Sequence, residues 1–140
     1  MDPIDLVALQ GGRPLVAVEA KSRPVPDDFR GPVLEQLREG LEATQSRWAV
    51  LAAPDRVEFY RHDDLEQPRA SIPSEEILRA AGLEGVAAVG KGILTLAMKR
   101  WFGQLQSEHA FSDRYPSLAE FFETARRADS VIEDFGAAGH

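Results

Sequence analysis

Two short runs rich in Val and Leu, Ile4 to Leu9 and Leu15 to Lys21, flank Gln10-Gly11-Gly12-Arg13-Pro14, and this pattern predicts a β-hairpin. Residues 24–32 hold three prolines and a glycine, which predicts a loop. From Val33 to about Thr44 the apolar positions Val33, Leu34, Leu37 and Leu41 recur at helical spacing opposite Glu35, Arg38, Glu39 and Glu42. Trp48 to Ala53 is an uncharged apolar run that reads as a strand buried on both faces, and Val57 to Tyr60 returns as a second strand after a Pro54-Asp55-Arg56 turn. Ser71 to Pro73 closes this part of the chain.

Helical spacing dominates from there on. Ser74-Glu75-Glu76 predicts a helix start with the Ser74 hydroxyl as N-cap and two carboxylates at the positive end of the dipole, and Gly82 ends that helix. A longer helix is expected from Val86 or Ile93 to Gln106, with Leu94, Ala97, Met98, Trp101 and Leu105 on one stripe. Ser117-Leu118-Ala119-Glu120 has the spacing of a capping box and predicts a last helix with Leu118, Phe121, Phe122, Ala125 and Ala128 inward. The closing Gly136-Ala-Ala-Gly-His140 is expected to fray. A hairpin, a helix, two strands and three helices predict a small mixed sheet flanked by helices. It divides into an α/β core over residues 1–72 and a helical extension over 73–140 that packs on the core as one compact unit.

Composition narrows the function classes. The chain has 140 residues, 44% of them hydrophobic, which is enough for one domain with a real core. The net charge of −7 excludes a basic surface that coats duplex nucleic acid, so any DNA contact must be local. Residues 1–79 carry 15 acids and 10 bases (−5) and residues 80–140 carry 8 acids and 6 bases (−2), so neither part is a charged arm. The absence of cysteine removes disulfides, thiolate metal sites and a cysteine nucleophile. The longest apolar run without a charge, Gly92 to Met98, is too short for a membrane helix, and Met1-Asp2-Pro3 has no signal-like character. A cytoplasmic protein with no membrane partner is expected.

The residues that bear on chemistry sit on the hairpin. Glu19 and Lys21 share one face of their strand, while Val16, Val18 and Ala20 turn to the other. Register decides whether Asp5 joins them. An antiparallel index sum of 24 puts Asp5 across from Glu19, through a three-residue loop such as Gly11-Gly12-Arg13; a sum of 23 sets it against Val18 on the wrong face. Two carboxylates side by side repel unless one takes up a proton or a cation relieves them. Oxygen ligands alone select Mg²⁺ or Mn²⁺, and a neighbouring lysine can orient a metal-bound water or neutralise charge on a phosphoryl group.

Asp5, then Val18-Glu19-Ala20-Lys21, then a helix carrying Gln36, then the strand from Trp48, together resemble the PD-(D/E)XK nuclease superfamily. The nearest likeness is to the restriction-endonuclease-like domain of type I restriction R subunits and to related bacterial proteins of unknown role. It covers roughly residues 3–61. The resemblance implies a restriction-endonuclease-like core and metal-dependent hydrolysis of DNA phosphodiesters. It implies Asp5, Glu19 and the Ala20 carbonyl as ligands of Mg²⁺ or Mn²⁺, a catalytic Lys21, and Gln36 in support of the site. The family core opens with a helix, often carrying another acid, and a strand ahead of the Asp, so a front-truncated core is expected here. The family's Gln-x-x-x-Tyr spacing becomes Gln36-Leu-Arg-Glu-Gly40. The alternative is a catalytically degenerate module that dimerises or docks a partner protein through its helical extension, and an ordinary hairpin with a coincidental likeness is the third reading.

Other candidates read blandly. His62-Asp63-Asp64 is a solvated turn, and His109 has no second histidine at helical spacing. Gly90-Lys91-Gly92 is too short for a phosphate loop and reads as a flexible helix start. No serine stands in a Gly-x-Ser-x-Gly setting. Trp101, Phe102, Phe121 and Phe122 have the spacing of core or of a partner interface rather than of a base-stacking platform. Lys99, Arg100, Arg126 and Arg127 form small basic pairs that read equally as phosphate contacts or as solvated helix faces.

Overall fold

A computed structural model of the chain describes residues 4–105 and 113–136. The readings made for Met1 to Pro3, Gln106, Glu108 and His109, and for residues 137–140 lie outside that range.

The architecture is mixed α/β. Strands β1 (Ile4–Gln10) and β2 (Arg13–Ala20) form the hairpin, helix α1 (Arg30–Thr44) crosses over, and β3 (Trp48–Ala52) returns parallel to β2. Strands β4 (Arg56–Arg61) and β5 (Ala70–Pro73) add antiparallel neighbours. Helices α2 (Ser74–Ala80), α3 (Lys91–Leu105) and α4 (Ala119–Arg126) follow, and β6 (Ser130–Phe135) closes the sheet antiparallel to β1. The sheet order is β5-β4-β3-β2-β1-β6.

Side-chain alternation sorts the sheet into two buried faces. Leu6, Val18, Val50 and Phe59 face α2, α3 and α4, where Trp101, Phe102, Phe121 and Phe122 are all buried. The aromatic stripe is therefore core. Ala49, Leu51 and Tyr60 face Leu37 and Leu41 of α1. Trp48 to Ala52 is buried on both faces, as its uncharged sequence requires.

The hairpin departs from its expected loop in an instructive way. The turn is the two-residue Gly11-Gly12, both at positive φ (56° and 79°), the geometry that only glycine adopts without cost. Near the turn Gln10 pairs with Arg13 and Leu9 with Pro14, an index sum of 23; beyond it Ala8 pairs with Val16 and Leu6 with Val18, a sum of 24. Leu15 is the extra residue, bulged out of the ladder next to a proline that has no N–H to give it. Its carbonyl instead accepts the Arg47 N–H at the entrance to β3.

Several expectations need correction. The segment after residue 73 is not wholly helical: the last helix ends at Arg126, and β6 covers the free edge of β1. Residues 70–73 are a strand. Helix α1 begins at Arg30, three residues before Val33, because Pro32 falls in the first turn, where its missing N–H breaks no helical bond. Ser74 lies inside α2 and its hydroxyl donates to the Ala53 carbonyl rather than capping, so it ties the helix to the sheet. The Ser117 to Glu120 capping box does not form; a 3-10 turn over Pro116–Leu118 precedes α4, and Glu120 accepts from Arg61 at 2.7 Å.

Phe121 packs edge-on against Trp48 (centroids 5.5 Å) and Phe59 (4.8 Å), and so fastens α4 to the centre of the sheet. Phe121→Ala opens a cavity at that contact and is expected to cost about 3–5 kcal/mol, read as a lower midpoint in urea denaturation.

Candidate functional site

The ladder that ends in Leu6–Val18 brings the next pair, Asp5 and Glu19, side by side on the α1 face of the sheet, at the end where β2 gives way to Lys21. Both are buried, at 7% and 6% exposure. Asp5 Oδ2 accepts the Ala20 N–H at 2.8 Å, so one oxygen is fixed by the neighbouring strand. Glu19 lies close enough to Asp5 for its ionisation to feel the Asp5 charge. Lys21 follows β2 and donates from Nζ to Gln36 Oε1 on α1 at 2.7 Å. The four side chains expected to act together are thus gathered by three elements.

Electrostatics separates the two acids. Burial, and then the charge of Asp5, push the Glu19 carboxyl up to about 7, against the opposing pull of Lys21 and Lys91. Glu19 therefore holds a proton to near neutrality while Asp5 is paired with a cation. That cation is Lys91, the first residue of α3, whose Nζ lies 3.0 Å from Asp5 Oδ1. The hydrogen bond to Asp5 holds the Lys91 ammonium charged beyond its usual range, with Glu19 and Asp134 adding to the effect.

A second cluster stands on the same face. Leu51 is the lateral neighbour of both Glu19 and Glu58, which puts Glu58 two strands away, at roughly 10 Å. Arg30, in the first turn of α1, donates to both Glu58 and the Tyr60 hydroxyl, and Arg56 stands 3.8 Å from Glu58. Burial and the Glu58 charge push Tyr60 up to about 12. This cluster pins the start of α1 to β4. Gln36 sits six residues further along, about 9 Å, so the same helix delivers the partner of Lys21.

Sequence reasoning missed Lys91 and this Arg30-Glu58-Tyr60 cluster. Glu58 carried a signal, since it alternates with the apolar Val57 and Phe59 in a strand with buried neighbours. Lys91 carried none, because only the tertiary packing of α3 brings it to β1.

The donor set fits a small hard cation. Two carboxylates meet where one is forced to keep its proton, and a divalent ion relieves the same repulsion by displacing that proton. Among the described residues no group of three or more His, Cys, Asp or Glu gathers as metal ligands. A two-carboxylate site suits Mg²⁺ or Mn²⁺, which keep several waters, and not zinc.

Beside Lys21 lies a shallow groove of about 230 Å³ lined by Arg23, Pro26, Val33 and Phe29, which is 60% exposed. Other hollows cluster around Arg47 and His62 at the far end of the sheet, where Arg61 is paired with Glu120 and Asp63. No helix among the described residues is long and apolar enough to cross a membrane. Compared with known proteins, the chain matches no family model, no curated protein and no solved structure.

Glu19 makes the stability of the fold pH-dependent with a definite sign. Its folded value near 7 lies above the unfolded value of 4.5. Folding thus favours the protonated form, so stability falls as pH rises from about 4.5 and levels off above 7. Glu19→Gln removes this dependence. Urea denaturation in EDTA at pH 8 should find the variant more stable than wild type by up to about 3 kcal/mol, with the difference shrinking toward pH 5.

Proposed function

We propose that this protein hydrolyses DNA phosphodiester bonds with Mg²⁺ or Mn²⁺, at a PD-(D/E)XK-type site on a restriction-endonuclease-like core. The observation that carries the reading is the meeting of Asp5 and Glu19 at the end of the β1–β2 ladder, with Lys21 held by Gln36 from α1.

The topology is compatible with such a core in an unexpected respect. The family pattern places a helix and a strand ahead of the Asp strand, and in this chain the outer edge of β1 takes its neighbour from elsewhere in the sequence. Here α4 and β6 come from the other end of the chain, and β6 lies antiparallel on that edge.

In this reading Asp5, Glu19 and the Ala20 carbonyl would hold the metal. When bound, the ion supplies a water of lowered pKa and neutralises charge on the phosphoryl oxygens. Asp5, fixed by the Ala20 N–H, sets the position of the donor set. Glu19, its proton given up to solvent, would be the second carboxylate ligand. Lys21, positioned by Gln36, directs its ammonium toward the attacking water or the phosphoryl group. The exposed Phe29 and Arg23 beside Lys21 offer a small apolar and cationic contact for the flanking nucleotide, a local contact of the size the net charge of −7 permits.

One observation favours a second reading, a degenerate nuclease-like module acting through dimerisation or a partner protein: Lys91 already neutralises Asp5. Plasmid nicking separates the two. Wild type with Mg²⁺ is expected to nick supercoiled DNA, Lys21→Ala and Asp5→Asn to lose at least a hundredfold, and Gln36→Ala to lose less. Wild-type protein inert with Mg²⁺ and Mn²⁺, or Lys21→Ala fully active, overturns the nuclease reading.

A further inference from the structure

Asp5 has two carboxylate oxygens and neither is free. Oδ2 takes the Ala20 N–H, and Oδ1 takes the Lys91 ammonium at 3.0 Å. The lysine of the Glu-x-Lys strand is not the one on the carboxylate, because Lys21 is held by Gln36. A different lysine, brought by the helical segment, stands where a cation would bind.

We propose that Lys91 belongs to the site: it keeps the place of the divalent cation on Asp5 while the metal is absent, and once displaced by the metal it receives a backbone phosphate of the nucleic acid. The inference rests on the metal-site reading above and goes beyond it by naming a residue that couples metal and substrate binding.

Three features support it. An ammonium and a divalent ion compete for one anionic oxygen, so the metal must expel Lys91 to reach Asp5 Oδ1. The side chain can leave, since it is 55% exposed, and Gly90 and Gly92 on either side have open space around them. The displaced ammonium remains tethered at the mouth of the site. Glu19 and Asp134 on β6 are the further acids that act on Lys91 in its place on Asp5, and a nucleic acid laid over the carboxylates would bring a more strongly charged oxygen. Metal would then free the phosphate ligand, and phosphate would hold Lys91 away from Asp5, so each raises the affinity for the other.

The test measures binding, not cleavage. Mn²⁺ affinity is read by electron paramagnetic resonance without DNA, for wild type, Lys91→Met, Lys91→Arg and Asp5→Asn. DNA affinity is read by fluorescence anisotropy with Ca²⁺ and with EDTA, and folding of each variant is checked by circular dichroism. Lys91→Met is expected to bind Mn²⁺ about tenfold more tightly than wild type, and Lys91→Arg to remain near wild type. Asp5→Asn is expected to lose the metal. Wild type should bind DNA more tightly in Ca²⁺ than in EDTA, with most of that gain lost in Lys91→Met. If Asp5→Asn loses Mn²⁺ but Lys91→Met binds it no better than wild type, or keeps the full Ca²⁺ gain, the role of Lys91 is overturned and the metal site stands. If neither wild type nor Lys91→Met binds Mn²⁺, the metal site itself fails and the inference with it.

Discussion

A single extra residue, Leu15, sets the register on which the candidate site depends. The Gly11-Gly12 turn starts the β1–β2 ladder at an index sum of 23, which continued unbroken would oppose Asp5 to Val18 and turn it away from Glu19. The bulge beside Pro14 raises the sum to 24. Asp5 and Glu19 then fall side by side, and the apolar pairs Leu6–Val18 and Val7–Ala17 each keep a buried face. The demands of the core and of the site are met by the same slip.

With the register fixed, electrostatics accounts for much of what surrounds it. Two buried carboxylates in contact need positive charge, and the fold supplies it from three directions: Ala20 N–H from the neighbouring strand, Lys21 from the end of β2, and Lys91 from α3. Glu58 repeats the pattern two strands away with Arg30 and Arg56. The face of the sheet toward α1 thus carries an acidic row in which Asp5 and Glu58 are paired with cations and Glu19 between them is held protonated to near neutrality, while the opposite face is apolar and packed with aromatic rings.

What was legible in the sequence followed from local periodicity. Strands β1 to β4 and helix α1 announce themselves by alternation or helical spacing, and Asp5, Glu19, Lys21 and Gln36 were all named from that pattern and the family resemblance. The misses have a common physical cause. Strand β6, with Glu133 and Asp134 exposed on an edge, has no alternation to betray it, and only the free edge of β1 makes it a strand. The Ser74 and Ser117 caps have good local chemistry, but tertiary partners claimed Ser74 and Glu120. Lys91 depends on where α3 begins relative to β1, which spacing within α3 does not encode.

The central claim is that Asp5 and Glu19 form one cation site closed by Lys91. Anomalous diffraction from a crystal soaked in Mn²⁺ tests it most directly. The account predicts one peak about 2.1 Å from an oxygen of each carboxylate, with the Lys91 ammonium moved off Asp5. No peak between the two carboxylates, with Lys91 still bound to Asp5, would contradict it.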